Sequence, residues 1–213
     1  MSGSRSREAA VWRWARTLRP ARVRGKSLPR LVLVTDPGRT LNPDAAIGRL
    51  PRGAMVIYRA FGAPDAVRTG RRLARLAHAR GLAILAGADP ALAAAIGADG
   101  VHLPERLARR ARGLRRGRPR WLVTAAAHSA AAIVGARKAG ADAVFLSPVF
   151  ESASVSAGRP LGPLRFAALA RNAGLPVYAL GGIDASRARR LARSGAAGLA
   201  AVEALAGEWR ART

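Results

Sequence analysis

Cysteine is absent from the 213 residues, so no disulfide, thiolate nucleophile or Cys-ligated metal is available, and a reducing compartment suits the chain. Acidic residues are scarce. Twelve Asp and Glu face 37 Lys and Arg, and no pair of carboxylates has a metal-ligand spacing, so no dedicated divalent-cation site stands out. Lysine is nearly missing as well, with Lys26 and Lys138 the two present, so the formal charge of +25 is carried by arginine. No apolar run reaches the length of about 20 residues that a membrane-spanning helix needs. The Arg-rich start lacks the apolar stretch of a secretory signal, and the expected location is cytoplasmic.

What is present is ample apolar material, 50% of residues, for one well-buried core. The division expected is a basic extension over residues 1–28, with a short amphipathic helix from about Glu8 to Leu18 closing one end of the domain, followed by a single domain over 29–213. A charge of +25 invites a nucleic-acid partner. The arginines, however, are spread over nearly every helix. The sequence therefore favours a solvated basic surface, and a nucleic-acid or membrane-surface partner would require the cations to gather on one face. A homo-oligomer stays open.

From Leu31 onward short apolar runs alternate with Ala/Leu/Arg helices. The strands are read at Leu31–Val34, Ala54–Tyr58, Leu82–Leu85, Gly100–Leu103, Trp121–Ala125, Ala143–Leu146, Val177–Leu180 and Gly198–Val202. The helices between them are read at Pro43–Ile47, Asp65–Arg80, Pro90–Ile96, Arg106–Leu114, Ala130–Ala139, Leu164–Asn172 and Ala185–Ser194. About eight strands at a spacing of roughly 26 residues are what a (β/α)8 TIM barrel demands. A doubly wound open sheet competes, but it usually carries fewer repeats, and no GxGxxG follows the first strand.

In a barrel the loops after the strand C-termini build the site. That rule selects Asp36, Arg59, Gly87 to Asp89, His102, His128, the loop from Ser147 through Ser152, Ser154 and Ser156, the Gly181-Gly182 turn and Glu203. The Ser-rich loop, ending in Arg159 and Gly162, offers hydroxyls, backbone amides and a guanidinium, a set suited to an anion, with an ordinary polar loop as the alternative reading. Gly181-Gly182 opens a helix capped by Asp184, a place where barrels bind phosphate, although a Gly-Gly turn also serves tight packing alone. His102 and His128 lie at or just after strands and suit acid-base work or phosphate donation, with a hydrogen-bonded core histidine as the plainer alternative.

Seven segments in order carry a resemblance: Leu31-Val-Leu-Val-Thr-Asp36, Gly97-Ala-Asp-Gly-Val-His-Leu103, Gly140-Ala-Asp142, Leu146-Ser-Pro-Val-Phe150, Arg159-Pro-Leu-Gly162, Pro176-Val-Tyr-Ala-Leu-Gly-Gly-Ile183 and Gly195-Ala-Ala-Gly-Leu-Ala-Ala-Val202. Together they resemble the thiamine-phosphate synthase and thiazole tautomerase family. The resemblance implies a barrel that joins hydroxymethylpyrimidine diphosphate to a thiazole phosphate, releasing pyrophosphate, with magnesium on the diphosphate. It implies catalytic roles for Arg59, His128, Ser152 and Ser154. Substrate or phosphate binding falls to Arg59, His102, Ser147, Arg159, Gly181 and Gly182.

Departures from the pattern are specific. Ile57 and Phe61 replace the Gln and Lys that flank Arg59 in the family signature. Gly87-Ala88 stand for its Asn-Asp, leaving Asp89, one place late, as the sole metal candidate, and Leu107 stands at its second metal carboxylate. Ala126 replaces a Ser, Val155 a basic residue, and Glu203 the phosphate-binding Ser after the last strand. The tautomerase His aligns with Ser147. The sequence thus implies a divergent synthase-like barrel of weak or altered activity, or a non-catalytic or regulatory barrel that keeps a pocket for a phosphorylated or heterocyclic ligand.

Overall fold

The computed structural model describes residues 2–152 and 158–206. Helix α1 (Ser2–Thr17) is followed by a two-stranded antiparallel hairpin, β1 (Arg22–Val23) and β2 (Lys26–Ser27). Eight parallel strands then close a barrel in sequence order: β3 (Leu31–Val34), β4 (Met55–Tyr58), β5 (Ala83–Gly87), β6 (Gly100–Leu103), β7 (Leu122–Ala127), β8 (Ala143–Leu146), β9 (Val177–Leu180) and β10 (Gly198–Ala201), with β10 returning to β3. Between them run α2 (Pro43–Arg49), α3 (Ala66–Ala79), α4 (Pro90–Ala95), α5 (Ala111–Gly117), α6 (Ala130–Lys138), α7 (Gly162–Arg171) and α8 (Ala185–Ala188), and α9 (Glu203–Ala206) follows β10. The fold is the single-domain (β/α)8 barrel, not the open sheet.

The near-continuous apolar strands make sense in this geometry, because alternate residues bury against the helices and against the barrel interior. Leu33, Val56, Ile84, Val101, Val123, Val144 and Leu199 belong to the outer core beneath the helices, whereas Val32, Met55, Ile57, Leu85, Phe145 and Tyr178 fill the barrel. Where strands approach closely the sequence uses glycine; a Cβ on Gly100 would overlap the Leu122 carbonyl.

Two expectations shift. The run Arg106–Leu114 is a 3-10 segment over Glu105–Arg110 that passes into α5, and the run Ala185–Ser194 is α8 followed by a 3-10 turn, Arg189–Leu191. The hairpin at residues 22–27 carried no sequence signal, yet it, and not α1, covers the barrel interior at the N-terminal ends of the strands. Ala21 and Val23 pack on the interior cluster, while Val11, Ala15 and Leu18 of the α1 segment join the outer core. Arg24 pins the hairpin in place, donating to the carbonyls of Pro119 (2.6 Å) and Trp121 (2.7 Å) and to the buried carboxylate of Asp142 (2.8 Å).

Candidate functional site

At the C-terminal ends of the strands the loops enclose a cavity of about 1200 Å3. Its floor is neutral, formed by His102 with two buried rings behind it. His102, on β6, meets Phe145 edge to face at 4.8 Å, and Phe145 stacks on Tyr178 at 4.5 Å. The His102 Nδ1 lies 2.9 Å from the buried Thr124 hydroxyl. Burial, reinforced by the charge of nearby Arg59, pulls the imidazole down to about 3, so the ring is neutral at physiological pH and turns its other edge toward the cavity. Thr124 was missed as a site residue, although a lone hydroxyl inside the apolar run Leu122-Val-Thr-Ala is a signal for an inward-facing partner.

One wall is built by the first two barrel strands. Arg59 Nε donates to the Thr35 carbonyl (2.8 Å), its backbone N–H donates to the Thr35 hydroxyl (3.0 Å), and its Nη2 donates to Asp36 Oδ2 (2.7 Å). Arg39 Nη2 reaches the same carboxylate oxygen at 3.0 Å, while Gly38 N–H donates to Asp36 Oδ1. Burial opposes ionisation of Asp36, but the Arg39 hydrogen bond, both guanidinium charges and the Gly38 amide outweigh it and hold the carboxyl below its usual range. Arg59 is therefore well oriented, and its charge is already partnered. Its guanidinium also lies 5.0 Å from the centre of the Phe61 ring, which is 69% exposed at the rim. Phe61 (φ 49°) and Ala88 (φ 65°) both adopt left-handed backbone, an uncommon conformation for residues with a Cβ, and both line the cavity.

The opposite wall comes from the loop after β8 and the turn after β9. Phe150 N–H donates to the Gly181 carbonyl and Val149 N–H to the Leu180 carbonyl. A Cβ on Gly182 (φ 63°) would overlap the Glu151 carbonyl and stand 2.9 Å from Phe150 Cβ, so the Gly-Gly turn is required by this packing whatever else it does. Asp184 Oδ1 accepts from the backbone N–H groups of Ser186 and Arg187 (2.9 and 2.8 Å), supplying the negative charge at that helix start itself. His128 Nδ1–H donates to the Ser147 carbonyl at 2.8 Å, which leaves Nε2 as the ring's remaining polar atom.

Of the expected site residues, Arg59, His102, His128, Ser147, Ser152, Gly181, Gly182 and Asp89 all line the cavity. Arg159 is exposed and is not among the lining residues. Ser154 lies outside the described residues, as do Val155 and Ser156. Glu203, selected by the same strand-end rule, lines the cavity too, and the structure adds Arg39, Arg110, Glu151, Asp184 and Arg187. Among the described residues the four lining guanidiniums, Arg39, Arg59, Arg110 and Arg187, are matched by four lining carboxylates, Asp89, Glu151, Asp184 and Glu203, with Asp36 behind them. In a chain of +25 this mouth is balanced in charge. Glu203 stands 3.7 Å from Arg39, so its carboxylate points to that guanidinium.

Magnesium does not fit the donors present. Ala88 and Leu107 offer no ligand, Asp89 Oδ1 already accepts from Leu92 N–H (2.9 Å) as the cap of α4, and among the described residues no three His, Asp or Glu side chains gather as a metal site.

Comparison with known proteins agrees with this architecture. The profile of the thiamine monophosphate synthase family matches residues 31–205. A putative thiamine-phosphate synthase 2 of Aquifex aeolicus is 36% identical over 111 residues, covering 52% of this chain and 59% of that protein. The thiamine biosynthesis bifunctional protein ThiM/ThiE of Symbiobacterium thermophilum is 31% identical over 199 residues, 89% of this chain and 40% of that one. The thiamine-phosphate synthase of a Synechococcus strain is 31% identical over 188 residues, 83% and 52%. The chain thus spans about half the length of these relatives. Among solved structures, a thiamine phosphate pyrophosphorylase from Pyrococcus furiosus superposes with a TM-score of 0.72 at 22% identity, covering 84% of this chain and 88% of that one, a likeness of fold.

Proposed function

This chain belongs to the thiamine monophosphate synthase family, and from that premise we propose that its cavity takes phosphorylated heterocycles and performs the synthase condensation only weakly. In that reaction the bond from the pyrimidine methylene to the diphosphate oxygen breaks, the oxygen keeping the electron pair, and the thiazole nitrogen lone pair forms the new carbon–nitrogen bond. Its rate depends on electrostatic grip on the departing diphosphate. The observation that carries the proposal is the charge balance of the mouth. Arg59 and Arg39 are oriented toward the cavity and share Asp36, so the positive charge a leaving diphosphate needs is half spent before substrate arrives. Small phosphorylated molecules and a cytoplasmic location belong to the same proposal; among the described residues no helix is long and apolar enough to cross a membrane.

A second reading, a non-catalytic or regulatory barrel for a heterocyclic ligand, is favoured by a different feature. The cavity keeps its volume, its neutral His102 floor and the exposed Phe61 ring, while the carboxylates expected to hold a metal are absent. Incubation with hydroxymethylpyrimidine diphosphate and the thiazole phosphate, with and without magnesium, separates the readings by product. Slow thiamine phosphate formation, abolished in Arg59→Ala, supports the first. Turnover near an ordinary rate of about 10 per second would overturn the claim of weakness. No product, but calorimetric heat with either substrate, moves the assignment to the second reading, and no heat with either refutes both.

A further inference from the structure

We propose that the end of the barrel opposite the cavity is a binding surface for the phosphodiester backbone of nucleic acid. The inference goes beyond the cavity's function and does not rest on it. One set of arginines, scattered along the sequence, is brought to this end by topology, because every turn that enters a parallel strand lies on the same face, while Arg39, Arg59, Arg110 and Arg187 line the cavity end. The β1–β2 hairpin there presents Arg22, Arg24 and Lys26, all exposed. Exposed Arg52 precedes β4 and exposed Arg80 precedes β5. Arg118 and Arg120 precede β7, Lys138 ends the helix before β8, and Arg171 and Arg193 precede β9 and β10, again all exposed.

The turn before β6 is the one entry among the eight without such a cation; it carries Asp99, which accepts from Ile84 N–H and contacts His78. The other carboxylate of this face among the described residues, Asp142, is buried and contacts Arg24 and Arg115. By contrast Asp36, Asp89, Glu105, Glu151, Asp184 and Glu203 all lie in loops or helix starts on the cavity side.

Helix dipoles explain the sense of this segregation, since acids suit helix starts and bases suit helix ends. They ask for one cation per helix end, and the three cations of the hairpin and the second arginine before β7 exceed that. Several turns of the patch are tied to one another. Arg24 spans from the hairpin to the carbonyls of Pro119 and Trp121, Arg112 ties α5 to the Lys138 carbonyl, and Arg171 reaches the Arg193 carbonyl.

Chemistry selects the partner. The cations are almost all guanidiniums, whose planar fork matches phosphate oxygens. The large exposed apolar side chains among the described residues are Leu41, Phe61, Val67, Val134 and Leu164, and none lies in a turn of this face. A membrane would lack a group to insert, and a protein partner would lack an apolar anchor. A uniform, polyanionic ladder of phosphates needs neither.

The test is fluorescence anisotropy with labelled duplex DNA and duplex RNA of mixed sequence, at salt concentrations from about 50 to 200 mM. Binding without sequence preference is expected, with a slope of log affinity against log salt of about −4, as for four to five neutralised phosphates. Combining Arg52→Glu, Arg120→Glu and Lys138→Glu should weaken it at least tenfold, whereas Arg68→Glu, Arg106→Glu and Arg165→Glu, an equal charge change on the cavity side, should leave most of it. Thermal unfolding checks that both triples fold. The neutral pair Arg52→Gln and Arg120→Gln should flatten the salt slope by about two, a result that does not depend on reversing charge. Absence of binding, equal losses in the two triples, or binding to anionic phosphatidylserine vesicles but not to duplexes would each overturn the proposal.

Discussion

Lowering the pH from 7 to 5 should weaken the fold through His102, and the size follows from its surroundings. In the unfolded chain the imidazole titrates near 6.5, whereas in the barrel burial and the Arg59 charge pull it down to about 3. The folded state therefore refuses a proton that the unfolded state accepts. The stabilisation is complete above pH 6.5 and is lost progressively as the pH falls toward 3. At pH 5 the loss is about 1.5 pH units at 1.36 kcal/mol each, or about 2 kcal/mol, and the figure stays the same for any folded value below about 4.

Urea unfolding of the natural chain and of His102→Gln at pH 7 and pH 5 isolates the effect, because His78 and His128 are common to both proteins and cancel in the difference. The natural chain should lose about 2 kcal/mol more than the variant over that interval. Equal losses, or an imidazole resonance of His102 titrating near 6.5, would refute the claim that the cavity floor is neutral and desolvated.

Three other outcomes are expected. Asp142→Ala should destabilise by about 3 to 5 kcal/mol in urea, since it strands the Val123 N–H and leaves Arg24 and Arg115 without their carboxylate; Asp142→Asn, which keeps an acceptor for Val123, should cost less. Gly182→Ala should lower stability by about 2 kcal/mol and the melting temperature with it, because its Cβ meets Glu151 and Phe150 at a left-handed φ. Glu203→Ser should raise the affinity for the thiazole phosphate about tenfold by calorimetry, having removed a carboxylate and freed Nη1 of Arg39, whose Nη2 stays on Asp36; an unchanged affinity would show that the phosphate does not approach this end of the mouth.

The sequence alone determined the barrel, its eight strands to within a residue or two at each end, and the loops that form its mouth, because strand burial on both faces and Gly-punctuated turns are local signals. It also placed His102, Arg59 and Gly181 at the mouth, since residue order fixes which side of a parallel strand a loop lies on. What only the tertiary structure decided is the company each residue keeps. Arg59 reads as a free cation until Thr35 and Asp36 are folded against it, and the packing need for Gly182 is visible only once Glu151 crosses over it. The β1–β2 hairpin had no signal because its order comes from Arg24 reaching across to Asp142, 118 residues away in the chain. The charge followed the same rule: residue order spread the arginines over nearly every helix, and the parallel closure of eight strands set those of the strand-entry turns on a single face, because strand direction is a property of the closed sheet and not of any one segment.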